Sequence, residues 1–167
     1  MGRLAQAVAP VLRAGDRVLL EGPLGAGKTT WVRHLVAALG GDPGLVSSPT
    51  YTVLHVYDHA QPVVVHVDAY RLQGADELAA LGFDELVDDA VACIEWAGRV
   101  PGVADHGRAW RVVLEHADGR RQVTVFPPSD QDVPCALPMI DGGSVAGCAT
   151  VGQADINAQA RSRNQLS

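Results

Sequence analysis

Gly22-Pro23-Leu24-Gly25-Ala26-Gly27-Lys28-Thr29 satisfies the pattern G-x-x-x-x-G-K-[ST] at every fixed position. Residues of these types at this spacing cradle the phosphates of a nucleotide. Glycines let the backbone wrap an anion without Cβ clashes. Successive N–H groups and the N-terminus of the following helix turn partial positive charge toward it. Lys28 carries a full charge to the β- and γ-phosphates, and the Thr29 hydroxyl suits Mg²⁺. The residues expected to bind ATP are Gly22, Leu24, Gly25, Ala26, Gly27, Lys28, Thr29 and Thr30. Pro23 has no N–H to offer.

Chemistry on bound ATP and Mg²⁺ also needs a carboxylate at the end of a neighbouring strand. Two segments supply one: Val63-Val64-Val65-His66-Val67-Asp68 and Val91-Ala92-Cys93-Ile94-Glu95. Each places an acid at the C-terminal edge of a buried strand, where ligands bind in open α/β sheets. Either acid alone also reads as a helix cap or a partner of Arg71. Thr50, in Ser48-Pro49-Thr50-Tyr51, is open to two readings: a donor to the γ-phosphate or to metal-bound water, or part of a turn feeding a strand. His66 alternates with valines and reads as a packed histidine, since one His lacks the partners of a metal site. Trp96 reads equally as pocket lining or core.

Periodicity predicts the elements that must position these residues. An amphipathic helix is expected over 3–13, from Leu4, Val8, Val11 and Leu12. A strand over 17–21 leads into the glycine-rich loop, and a helix over 29–39 leaves it, ended by Gly40-Gly41. Residues 51–57 and 63–67 read as antiparallel neighbours. Short helices are expected over 76–81 and 84–87, and a strand over 91–95. Residues 110–115 and 122–126 flank Asp118-Gly119, a strong hairpin signal. The pattern predicts an α/β fold with a mixed sheet and a C-terminal hairpin. Residues 1–128 form the expected nucleotide-binding domain. Residues 129–167 have little periodicity and read as a disordered tail, dispensable for ATP binding.

Composition narrows the function classes. The formal net charge of the 167-residue chain is -6, which argues against holding nucleic acid by its own electrostatics. No apolar run approaches the ~20 residues of a membrane helix, so no membrane role is expected. Ala7-Val8-Ala9 resembles a signal cleavage site, but the apolar stretch before it is too short and Gln6 interrupts it. Met1-Gly2 lacks the downstream Ser/Thr of a myristoylation signal. Cys93, Cys135 and Cys148 have no metal-ligand spacing and read as reduced thiols of a cytoplasmic protein.

Four blocks then fall in one order: Leu20 to Trp31 through the glycine-rich loop, Ser48-Pro49-Thr50-Tyr51, His66-Val67-Asp68-Ala69-Tyr70-Arg71, and Ile94-Glu95-Trp96. Together they resemble the TsaE (YjeE) family over about residues 4–126. The resemblance implies a P-loop NTPase-like three-layer sandwich. It implies a Mg²⁺-dependent ATPase that works with the TsaB–TsaD heterodimer and meets tRNA only through that complex. The system makes threonylcarbamoyladenosine in tRNAs that read codons starting with A. It assigns catalysis to Asp68, Mg²⁺ to Glu95 with Thr29, and a switch role to the block holding Thr50. Three departures stand out: Pro23 replaces a usual Asp, Ala69 replaces a usual Leu, and the family's N-terminal strand has no counterpart here. Two other functions share the loop, a small-molecule kinase and a non-catalytic nucleotide-switched partner. No Arg-rich kinase lid occurs in the expected folded region, and no Asn-Lys-x-Asp block for guanine occurs.

Overall fold

The computed structural model describes residues 1–117, 120–128 and 143–145. Chain order is α1 (Gly2–Val8), β1 (Arg17–Glu21), α2 (Lys28–Ala38), β2 (Leu54–Tyr57), β3 (Val63–Asp68), α3 (Ala75–Ala79), α4 (Phe83–Val87), β4 (Ala90–Glu95), β5 (Ala109–Ala117), β6 (Arg120–Phe126) and β7 (Gly143–Val145). The strands form one mixed sheet in the order β2-β3-β4-β1-β5-β6-β7. The centre is parallel: β3 with β4, β4 with β1, and β1 with β5. β2 and β6 are antiparallel to β3 and β5.

The parallel centre follows from its side chains. Every residue of β4 is buried, as a strand covered on both faces requires. Alternate residues of β4 face opposite ways. Val91 and Cys93 join a core with Trp31, Leu35 and Val36 of α2 and Leu4 and Val8 of α1. Ala90, Ala92 and Ile94 join a second core with Leu78 of α3 and Phe83 and Val87 of α4. The sheet therefore lies between two helical layers, the three-layer arrangement that the resemblance implies.

The first helix stops at Val8, short of the expected residue 13. Pro10 cannot continue the ladder, and Ala9–Val11 tightens into a 3-10 turn. The strand expected from residue 51 begins only at Leu54. Val53 has φ 68°, its N–H donates to the Pro49 carbonyl at 2.6 Å, and its carbonyl accepts from Asp68 N–H at 2.9 Å. A β-branched residue with positive φ is strained, and here it turns the segment back across the end of β3. The hairpin forms as expected, with Ala117 opposite Arg120; the Asp118-Gly119 turn itself lies outside the described residues. Within the expected tail, Gly143–Val145 pairs in parallel with β6. The rest of residues 129–167 lies outside the described residues.

Candidate functional site

The parallel strands bring three chain segments to one edge. Register sets Leu20 of β1 and Asp68 of β3 on either side of Glu95 in β4. The glycine-rich loop leaves β1 at this edge and enters α2 at Lys28. Gly22, Gly25 and Gly27 have φ 146°, 77° and 103°. At Gly22 a Cβ would sit 2.3 Å from the Leu114 carbonyl oxygen, whereas at Gly25 it would meet nothing within 4 Å. Gly22→Ala is thus expected to destabilise the fold more than Gly25→Ala. Strain alone costs about 1–3 kcal/mol, and Gly22 adds a clash with backbone. Thermal unfolding of the two variants checks this; equal melting temperatures would contradict it.

Lys28 is buried, with its ammonium donating to the Gly22 and Pro23 carbonyls at 2.9 and 3.0 Å. It also lies 4.0 Å from the centre of the Trp96 ring, a cation–π contact. Burial pushes its pKa down, and the Glu95 and Asp68 carboxylates oppose that shift. Pro23, whose missing N–H set it apart in the sequence, contributes its carbonyl instead, to Lys28 and to Ala26 N–H. Trp96 itself has φ 59°, an unusual backbone for a bulky residue, and this turn brings the indole over Lys28 immediately after Glu95.

Thr29 Oγ1 donates to Glu95 Oε1 at 2.7 Å. A hydroxyl and a carboxylate, both oxygen donors, suit Mg²⁺, which binds through one or two protein groups plus phosphates and water. The donor set therefore fits a nucleotide-bound magnesium ion, without needing a cage of acids. Asp68 accepts from Thr50 Oγ1 at 2.7 Å, Ser48 Oγ at 3.2 Å and Tyr70 N–H at 3.1 Å. The two acids are thus engaged differently, Glu95 by the first residues of α2 and Asp68 by the 48–50 loop. Both are buried.

A family model described as threonylcarbamoyl adenosine biosynthesis protein TsaE matches residues 1–123. The chain belongs to the TsaE family. Relatives named tRNA threonylcarbamoyladenosine biosynthesis protein TsaE include that of Streptomyces coelicolor, 43% identical over 132 residues, which are 75% of this chain and 88% of that one. The TsaE of Treponema pallidum is 36% identical over 124 residues, 74% of this chain and 90% of that one. The match to Rickettsia conorii TsaE is shorter, 37% identical over 95 residues, 57% of this chain and 54% of that one. The crystal structure of YdiB from Bacillus subtilis superposes with a TM-score of 0.53 at 28% identity, covering 72% of this chain and 73% of that one. The likeness accords with the P-loop NTPase-like α/β fold of the TsaE family.

All four blocks that carried the TsaE resemblance meet at the one edge. The sequence reading did not single out Ser48 as a site residue, although it bonds both Thr50 and Asp68. Tyr57 was also missed: its hydroxyl lies 3.4 Å from His66 Nδ1. A polar side chain at an otherwise apolar strand position was the only signal available for it. Among the described residues no helix is long and apolar enough to cross a membrane.

Proposed function

We propose that residues 1–128 form a Mg²⁺-dependent ATPase domain that acts in tRNA threonylcarbamoyladenosine biosynthesis, in the cytoplasm, together with a TsaB–TsaD heterodimer. One observation carries the reading. A complete glycine-rich loop holds Lys28 on its own carbonyls beside the Thr29–Glu95 pair, with a second acid, Asp68, one strand away. Family membership supports the pathway.

On this reading the N–H groups of Leu24 to Thr30, set by the positive-φ backbone at Gly22, Gly25 and Gly27, receive the phosphates of ATP. Lys28 exchanges its two carbonyl contacts for phosphate oxygens. Thr29 Oγ1 and Glu95 would hold Mg²⁺, which would supply positive charge against the phosphates. Asp68 orients the attacking water and accepts its proton, and Thr50, already on Asp68, reports on the γ-phosphate. The chain's formal charge of -6 fits contact with tRNA through the heterodimer rather than directly.

Glu95→Ala and Asp68→Ala separate the two acids. Glu95→Ala should raise the Mg²⁺ concentration needed for ATP binding by about 10-fold or more. Asp68→Ala should lower hydrolysis by about 10²–10⁴-fold, the usual worth of a positioned base, with ATP affinity little changed. Steady-state phosphate release against Mg²⁺ and ATP, paired with equilibrium nucleotide binding, reads both. Wild-type magnesium titration and turnover in both variants would overturn the assignment. Transfer of the γ-phosphate to a metabolite would favour a kinase.

A further inference from the structure

His66 occupies β3 two residues before Asp68 and is fully buried. Its strand neighbours in register are His55 on β2 and Cys93 on β4. A valine, like those on either side of it, would fill such a position at no polar cost. A buried imidazole is costly unless both nitrogens find partners, and both do. Nε2 lies 3.0 Å from Glu95 Oε1, and Nδ1 lies 3.4 Å from the Tyr57 hydroxyl, itself 3.5 Å from the Ser47 carbonyl. Glu95 Oε1 only accepts, so Nε2 carries the hydrogen and donates. Nδ1 faces the Tyr57 hydroxyl, whose one hydrogen lies between it and the Ser47 carbonyl.

Thr29 Oγ1 donates to the same Oε1. Two donors from different elements, α2 and β3, therefore converge on one carboxylate oxygen. Their duties differ. Thr29 must share its hydroxyl between Glu95 and a bound ion, while among the described residues His66 hydrogen-bonds only Glu95 and Tyr57. Ligating carboxylates are oriented by such hydrogen bonds, whose loss weakens metal binding.

We propose that His66 is a positioning residue that holds the Glu95 carboxylate in its magnesium-binding orientation. This rests on the reading of Glu95 as the magnesium acid. The test is binding of a fluorescent ATP analogue to the full chain, titrated with Mg²⁺ and repeated in EDTA, for wild type and for His66→Leu, His66→Asn and His66→Gln. Leu removes the donor, and Asn carries one too close to the backbone to reach Glu95. Gln places its Nε2 near the position of the imidazole Nε2. Leu and Asn should raise the half-maximal Mg²⁺ concentration by about 10–100-fold, with affinity in EDTA unchanged, and Gln should return the midpoint close to wild type. A structural packing role would not be rescued by Gln in this way. Wild-type midpoints in Leu and Asn, or a Gln variant as impaired as Asn, would overturn the proposal. If His66→Leu does not fold, the Asn–Gln comparison decides alone. A wild type that binds nucleotide equally with and without Mg²⁺ would overturn the role of Glu95 as well. A metal-dependent wild type with indifferent variants would overturn only that of His66.

Discussion

Lys28→Ala is expected to remove productive ATP binding, by at least about 10²-fold in affinity, while the chain still folds. The magnitude follows from the loss of a fixed cation facing the phosphates, comparable to deleting one preorganised donor in a water-excluded site. Two features sharpen the expectation. Among the described residues the Lys28 ammonium bonds only to loop carbonyls and stacks on Trp96, so no described carboxylate is stranded as a direct hydrogen-bond partner when it goes. Its charge nonetheless lies near Glu95 and Asp68, both of which favour the charged lysine against burial. Removing it leaves those two acids to repel an incoming polyphosphate. Calorimetric ATP binding in Mg²⁺, with thermal unfolding as the folding control, measures this. Unaltered affinity in a folded variant would remove the basis for the nucleotide site.

Hydrolysis by the isolated chain should be slow, and addition of TsaB, TsaD and tRNA should raise it by as much as about 10³–10⁵-fold, the range an arginine finger supplies in P-loop enzymes. Among the described residues, none of the arginines nearest in sequence to the site hydrogen-bonds Asp68, Glu95 or Thr50. Arg33 donates to the Val46 carbonyl at 2.7 Å, Arg71 lies 5.8 Å from the exposed Tyr51 ring, and Arg99 lies 5.6 Å from that of Tyr70. Meanwhile Leu24 in the glycine-rich loop is 87% exposed and Tyr51 beside Thr50 is 88% exposed. Apolar side chains on both loops suit a partner that closes over the nucleotide. The Ser47–Tyr51 loop is the natural moving part, because Ser47, Ser48 and Tyr51 are exposed and the Ser48 and Thr50 hydroxyls reach from it to Asp68. Phosphate release by the chain alone, compared with the chain plus both partners and tRNA, is the decisive measurement. Fast turnover alone, indifferent to the partners, would contradict partner dependence.

Local pattern made much of this legible. The glycine-rich loop needs only adjacent residues, because its glycines, lysine and threonine act within one turn of chain. The flanking strand and helix follow from apolar periodicity, and the strand-end acids from β3 and β4 closing on Asp68 and Glu95. Where local rules failed, a local feature was overruled by a distant one. Residues 51–53 have β-forming side chains, yet the bond between Val53 O and Asp68 N holds them in a strained turn. The Asp16 carboxylate is buried and accepts from the Trp110 indole at 3.1 Å, 94 positions along the chain, a contact that no local pattern announces.

The division of labour between the two acids shows the same limit. Either acid could have faced Thr29, because both end apolar strands. Sheet order and register decided it: Glu95 ends the strand directly beside β1 and meets Thr29, while Asp68 ends the next strand out and meets Thr50. His66 read as packing because a lone histidine has no partner within its own segment. Its partners, Glu95 and Tyr57, come from the strands on either side. Residue types and short spacings specify which groups can take part, since those act along the chain. Which groups meet depends on contacts across the sheet, where strand order, pleat and register bring distant residues within hydrogen-bonding distance.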